Sequence, residues 1–342
     1  MKKVFLILIM IVPLLATSCS NDTDPVPASS SGKIGFYATA PKSSRAASTT
    51  TATLNNFVVY AFTNTSVVMN GVTVSRDGGS WTYSPLVYWP ALPVDFYAVS
   101  PETVANNEKP SDGSNSISKV ECGDTDLLYA VALDQVESPA PVALTFRHAM
   151  SKVSLMLSST SNRYSIEVYH VSLNNISLWG DFSFPETDTS DSTGDGTWGN
   201  LSDLKSVLVY YSDLDTNPSL LSITPRDLTE GNLNMSFFIP QPLSPLTYSS
   251  GAGFSGSYMQ IDCVVKDKLT GEKVWPNEHT PDYLLVAHSE CGRMVFPLST
   301  PAVTEWRQGY SYIYNVEINS TYSVDTIEFA PTVTDYVVST PF

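Results

Sequence analysis

Leu54-Asn55-Asn56-Phe57-Val58-Val59-Tyr60-Ala61-Phe62 is followed by a second β-branched run, Val67–Val74, and then by Asp77-Gly78 and Trp81-Thr82-Tyr83. Val, Tyr and Phe suit a pleated surface, and Asp-Gly tolerates the positive φ of a tight hairpin. The stretch therefore reads as strand, strand, turn, strand. The same grammar continues outward. Upstream, Lys33-Ile34-Gly35-Phe36-Tyr37-Ala38 puts Ile34, Phe36 and Ala38 on one face of a strand. Downstream, strands are expected at Leu86–Trp89, Val94–Val99, Leu127–Leu133, Val142–Phe146 and Val153–Leu157. A long polar, turn-rich segment, Glu102 to Gly123, interrupts them.

Ser158-Ser159-Thr160-Ser161-Asn162 marks the best boundary. Beyond it come Glu167–Leu173, Val207–Tyr211, Met235–Ile239, Tyr258–Lys266, Tyr283–Val286, Arg293–Phe296 and Tyr312–Ile318, then a tail with Ile327–Phe329 and Tyr336–Val338. No segment carries a sustained helical period with caps at both ends, and strands do not alternate with helices. The expectation is an all-β chain of two β-sandwich domains in tandem, residues 46–160 and 161–319.

Composition agrees. The chain has 342 residues, 42% hydrophobic, 11% aromatic and only 15% charged, with 23 Pro and 18 Gly. That excludes a disordered chain and a coiled coil. The formal charge is −16, from 34 acidic against 18 basic residues, so a phosphate-backbone partner is not expected. Lys2 and Lys3 precede an apolar stretch, Val4–Leu15, too short to span a bilayer comfortably. Leu15-Ala16-Thr17-Ser18-Cys19 then reads as a bacterial lipobox. Residues 1–18 are the signal peptide, and Cys19 is the lipidated N-terminus that tethers the chain to the outer membrane. Asn21 to Gly32 is a Pro/Ser/Asp tether. Cys122, Cys263 and Cys291 fit no zinc or redox spacing. One pair could bridge in an oxidising compartment, but small buried hydrophobes are the simpler reading.

Chemistry is sparse. His148, His170, His279 and His288 make no paired-His metal spacing. His148 reads as a hydrogen-bonded structural residue. Gly251-Ala252-Gly253-Phe254-Ser255-Gly256 matches a dinucleotide fingerprint but precedes a strand with no helix after it, so it is a hairpin loop. Asp188, Asp191 and Asp195 lack calcium-loop spacing and read as a solvated acidic loop. Among six Trp, Trp198 is the best candidate for exposure and sugar stacking, while Trp89 and Trp306 look like core. No catalytic residue, metal site or cofactor is expected.

Several runs together resemble the Bacteroidales fimbrillin family, the subunits of type V pili. After the Cys19 lipobox and Phe57-Val58-Val59-Tyr60-Ala61 come Trp81-Thr82-Tyr83, Tyr88-Trp89-Pro90 and Phe96-Tyr97-Ala98-Val99-Ser100-Pro101. Phe146-Arg147-His148-Ala149-Met150-Ser151-Lys152-Val153, Phe238-Ile239-Pro240-Gln241 and Trp306-Arg307-Gln308-Gly309-Tyr310-Ser311-Tyr312 follow in order. The resemblance implies transthyretin-like sandwiches and a structural, non-enzymatic role, stalk or tip, in adhesion.

It also implies a route of assembly. An Arg-specific protease cuts after Arg45, leaving Ala46 as the new N-terminus and releasing residues 19–45, with Ile34, Phe36 and Ala38 as the displaced strand. Another pilin subunit then donates its tail, residues 320–342, with Ile327, Phe329, Val333, Tyr336 and Val338 as groove-fillers. The competing expectation is a permanently lipid-anchored surface protein that binds a glycan, a host or a bacterial ligand without polymerising.

Overall fold

In a computed structural model the described residues are 32–40, 51–102, 115–190, 194–212, 218–230, 233–287, 289–318, 320–322, 327–329 and 332–333. Cys19, Arg45, Ala46, Tyr336 and Val338 lie outside them. The first half contributes β1 (Phe36–Thr39), β2 (Asn56–Phe62), β3 (Val67–Asp77), β4 (Ser80–Thr82), β5 (Val94–Ser100), β6 (Ser116–Glu121), β7 (Leu128–Gln135), β8 (Val142–Thr145), β9 (Arg147–His148) and β10 (Ser151–Ser158). Next come β11 (Tyr164–Ile176), β12 (Trp179–Ser183), β13 (Thr197–Gly199), β14 (Lys205–Tyr211), β15 (Ser219–Leu220), β16 (Arg226–Asp227), β17 (Phe237–Phe238), β18 (Gln241–Pro242), β19 (Thr247–Ser249) and β20 (Gly253–Ser255). The last are β21 (Tyr258–Asp267), β22 (Lys273–Trp275), β23 (Gly292–Pro297), β24 (Glu305–Trp306), β25 (Ser311–Glu317), β26 (Ser320–Tyr322), β27 (Ile327–Phe329) and β28 (Thr332–Val333).

The fold is all-β, as expected. The β3–β4 hairpin is the edge of a six-stranded sheet ordered β4-β3-β2-β5-β7-β9. Its turn uses Gly78 and Gly79, both at positive φ. Both faces of this sheet are covered. One packs on the β1–β8 pair through Phe36, Phe57, Phe96, Leu144 and Phe146. The other packs through Tyr60, Tyr97 and Tyr129 on Ile117, Val120, Phe182 and Phe184 of the β13-β12-β6 sheet and its flank. Cover on both sides explains why β2 and β5 read as continuous apolar runs rather than alternating ones.

In the second half, β14-β11-β21-β22, with β15 and β23 attached, faces the sheet β16-β10-β25-β28 across one large core. Strand β11 alternates core residues (Ile166, Val168, Val171, Leu173) with outward ones, which is the signature of a sheet covered on one face by this core. Val153, Leu155 and Leu157 belong to this later core. Phe182, Phe184, Phe237 and Ile239, in turn, pack with Tyr60, Tyr97 and Tyr129 of the first-half sheet, so the two cores interleave along the chain.

Several strand expectations need correction. Leu86–Trp89 is not a strand: Leu86 and Tyr88 are exposed, and the segment makes one bridge, Lys33 to Tyr88. Tyr283–Val286 begins in a 3₁₀ turn, Asp282–Leu284, favoured by Pro281 just before it. Met235–Ile239 pairs only at β17. Conversely, β6 sits inside the segment read as polar and turn-rich. Lys119 at positive φ makes a bulge opposite β12 and hides its alternation. Two pairings, β1 with β8 and β10 with β25, are parallel. The glycine-rich Gly251–Gly256 stretch is the β19–β20 hairpin and its exit. Gly256 is at positive φ, and a Cβ there would collide with the Pro245 carbonyl, so glycine is required for backbone approach.

Candidate functional site

The segment predicted to be displaced is seated deep in the first core. Ile34, Phe36, Ala38 and Ala40 are all buried. The Phe36 ring meets Phe57 at 6.1 Å and Phe96 at 5.8 Å, both edge to face, and Tyr83 at 5.6 Å. Its backbone is held on both sides. Along one, Phe36 to Thr39 run parallel to Val142 to Thr145. That ladder is flanked by Val142 N–H to the Gly35 carbonyl (2.8 Å) and Phe146 N–H to the Thr39 carbonyl (2.7 Å). Along the other, Ile34 N–H donates to the Val87 carbonyl and Trp89 N–H to the Gly32 carbonyl. The irregular Leu86–Trp89 segment thus substitutes for a partner strand.

Two side chains pin the ends. The Tyr83 hydroxyl donates to the Ile34 carbonyl at 2.7 Å. Burial pushes its pKa up, so it stays a donor well into the alkaline range. The Thr51 hydroxyl donates to the Ala40 carbonyl and accepts from the Ala40 N–H, both at 2.8 Å. Chemically, the seat is a groove of aromatic and aliphatic side chains with backbone donors and acceptors along its rim, suited to an extended peptide.

Three of the tail residues fall among the described ones, and they pair within their own chain. Ile327 and Phe329 form β27, paired with β26. Val333, in β28, stands opposite Val316 of β25.

Other candidates resolve into structural roles. His148 is buried, with Nδ1 2.9 Å from the Asp126 carboxylate. Asp195 pairs with Arg147 at 3.0 Å, and the Asp188 carboxylate accepts from the Leu133 N–H. Asp191 and His288 lie outside the described residues. Trp198 is half-buried: it packs on Phe182 at 5.3 Å and donates its indole N–H to the Ala149 carbonyl at 2.8 Å. Trp306 is core, as read. The three cysteines are free thiols, with Cys263 and Cys291 buried. Burial pushes the Cys122 thiol up to about 12. The sequence alone does not mark Tyr83 and Thr51 as the residues that clamp the first strand. Their only signal is a hydroxyl beside apolar neighbours, and it acquires meaning once the strand is in place.

The fimbrillin-like family model matches residues 33–335. No curated protein matches the chain. Among solved structures, a fimbrial protein from Bacteroides vulgatus is 16% identical, covering 88% of this chain and 99% of its own, with a TM-score of 0.47. A fimbrial assembly protein from Parabacteroides distasonis is 12% identical, covering 90% and 99%, with a TM-score of 0.36. The match to the family model spans nearly all of the described chain, and the chain belongs to the fimbrillin-like family.

Proposed function

We propose that the protein is a structural subunit of a surface pilus, stalk or tip, that mediates adhesion and assembles by strand exchange. One observation carries the reading. Strand β1 fills the first core, yet it is joined to the rest of the fold only through residues 41–50, where Arg45 stands among Ser and Ala. A cut after Arg45 leaves β1 held without a covalent link. Its loss opens an apolar seat lined by Phe57, Phe96 and Phe146, together with unpaired backbone groups along β8. Each large side chain that refills the seat contributes about 1.5–3 kcal/mol. Tail residues Ile327, Phe329, Val333, Tyr336 and Val338 of another subunit supply the right chemistry. Such a head-to-tail contact does not close on itself and so propagates. Export as a lipoprotein on Cys19 precedes the cut, and no enzymatic role or cofactor enters. In this scheme residues 46–160 and 161–319 are the tandem sandwiches of the mature subunit.

A second reading has its own support. Val333 pairs within its own chain against Val316. A subunit that keeps its tail and its lipid would anchor or bind without donating a strand.

The test is limited proteolysis of a soluble Cys19→Ala chain with trypsin or another Arg-specific protease, followed by intact mass, N-terminal sequence and particle size. A stable product starting at Ala46 that forms oligomers dependent on residues 320–342 is expected. A chain that resists cutting at Arg45, or a nicked monomer that keeps β1, favours the anchored reading.

A further inference from the structure

The second-half sheet turns one face away from its core, and that face carries a built row of side chains that strand exchange does not use. Four residues stand in register across four strands: Tyr211 on β14, His170 on β11, Asp262 on β21 and Arg293 on β23. The His170 ring stacks on the Tyr211 ring, centroids 5.0 Å apart and planes at 19°. His170 Nδ1 is 3.5 Å from the Asp262 carboxylate. One pleat along, Gln260 Nε2 donates to Asp262 Oδ1 at 2.8 Å. Arg293 donates from one terminal nitrogen to the Leu285 carbonyl at 2.9 Å, and its Nε is buried with no hydrogen-bond partner among the described residues.

A further pleat along, Tyr258 opens an aromatic group. Phe254 lies 5.9 Å from Tyr258, Tyr248 lies 5.1 Å from Phe254, and Tyr283 lies 4.4 Å from Tyr248. These rings come from three separate segments: the β19–β20 hairpin, the start of β21 and the 3₁₀ turn. Tyr248 and Tyr283 are each 43% exposed, so this convergence serves no core. From Tyr258 to Asp262 the strip runs about 13 Å at ~3.3 Å per residue, and the cross-strand row spans about 14 Å at ~4.8 Å per strand.

We propose that this strip is a carbohydrate-binding site for a neutral oligosaccharide. Tyr248, Phe254 and Tyr283 offer ring faces to the apolar C–H face of one sugar. Arg293, Gln260, Asp262 and His170 offer the donors and acceptors that hydroxyl groups, which both donate and accept, require. Charge selects the ligand class. Asp262 stands between His170 and Arg293, so the strip has no excess carboxylate to hold a cation, and a chain of formal charge −16 repels polyanions. An uncharged, hydroxyl-rich ligand fits. The strip contains no residue of β1 or of the tail, so binding is expected with or without cleavage at Arg45.

The experiment is calorimetric titration of the purified full chain with neutral gluco-, manno-, galacto- and xylo-hexaoses, and separately with a proline-rich peptide. At least one hexaose should bind. Its affinity should fall at least tenfold in Tyr248→Ala/Tyr283→Ala and in Arg293→Gln, and stay unchanged in Trp198→Phe. Thermal unfolding checks that each variant folds. If the double variant does not, Tyr248→Ala alone and saturation-transfer NMR on the wild-type chain give the same reading. Failure of every hexaose to bind, binding that ignores these substitutions, or the peptide alone binding in a Tyr248-dependent way overturns the proposal.

Discussion

The Tyr83 hydroxyl and the Ile34 carbonyl, 49 residues apart in sequence, meet at 2.7 Å and fasten the start of the first strand to the loop that replaces its partner. Tyr83→Phe removes that bond while keeping the ring against Phe36. The expected cost is about 1 kcal/mol in urea unfolding. In chain nicked at Arg45, the released segment should dissociate about fivefold faster, read by size-exclusion and mass spectrometry.

Phe36→Ala should cost about 3–5 kcal/mol, because it empties the space between Phe57, Phe96 and Tyr83 rather than merely shortening a surface side chain. The urea midpoint measures it. A synthetic peptide covering residues 33–40 with Phe36 intact should bind nicked, β1-depleted chain, and the Phe36→Ala peptide should not. Equal binding by both would falsify the groove as the seat of recognition.

Trp198→Phe should cost about 1 kcal/mol, the price of the indole N–H that reaches the fully buried Ala149. Trp198→Ala should cost more, about 1–3 kcal/mol, since it also strips contact from Phe182. Thermal unfolding separates the two. A larger loss in Trp198→Phe than in Trp198→Ala would contradict this role.

Alkaline pH provides a further check. Burial first, then the Asp95 carboxylate, pushes Tyr97 up to about 12. Burial, then the hydrogen bond with Glu167, does the same to Tyr169. Native chain keeps these groups neutral, whereas unfolded chain ionises them near pH 10 and its thiols near pH 9. A raised native pKa means stability fully present below the unfolded value and lost as pH rises toward 12. The unfolding midpoint should hold steady up to about pH 9 and then fall, and absorbance at 295 nm should show a late tyrosinate phase. Tyr97→Phe should shrink that phase.

Local chemistry was legible where one residue pair decides one element. Asp77-Gly78 forecasts its turn, and the alternation of Ile34, Phe36 and Ala38 forecasts which side chains fill the core. It failed where a neighbour decides. Leu86–Trp89 has strand composition, but its Leu86 and Tyr88 side chains face water because the segment serves the incoming first strand as a loop. Ser116–Glu121 has little strand composition and is a strand because β12 and the Tyr97–Tyr129 face need cover. The clamp formed by Tyr83 and Thr51 and the four-residue row from Tyr211 to Arg293 are invisible in one dimension, since each joins residues brought together only by register.

The parallel seam between β10 and β25 sets an order of events in time. The Ser151 hydroxyl donates to the Arg307 carbonyl, 156 residues later, and Lys152 to Ser158 zip against Ser311 to Glu317. Chains are made from the N-terminus at about 5–20 residues per second. The six-stranded sheet has all its strands once Arg147–His148 is synthesised, whereas Val153, Leu155 and Leu157 wait about 8–30 s more for their neighbour. Early in that interval the nascent chain holds a six-stranded sheet whose Tyr60–Tyr97–Tyr129 face still waits for Phe182 and Phe184, and throughout it carries one bare apolar ribbon. A premature stop codon in that interval makes the exposure permanent, so truncated products should be aggregation-prone out of proportion to the length they lack.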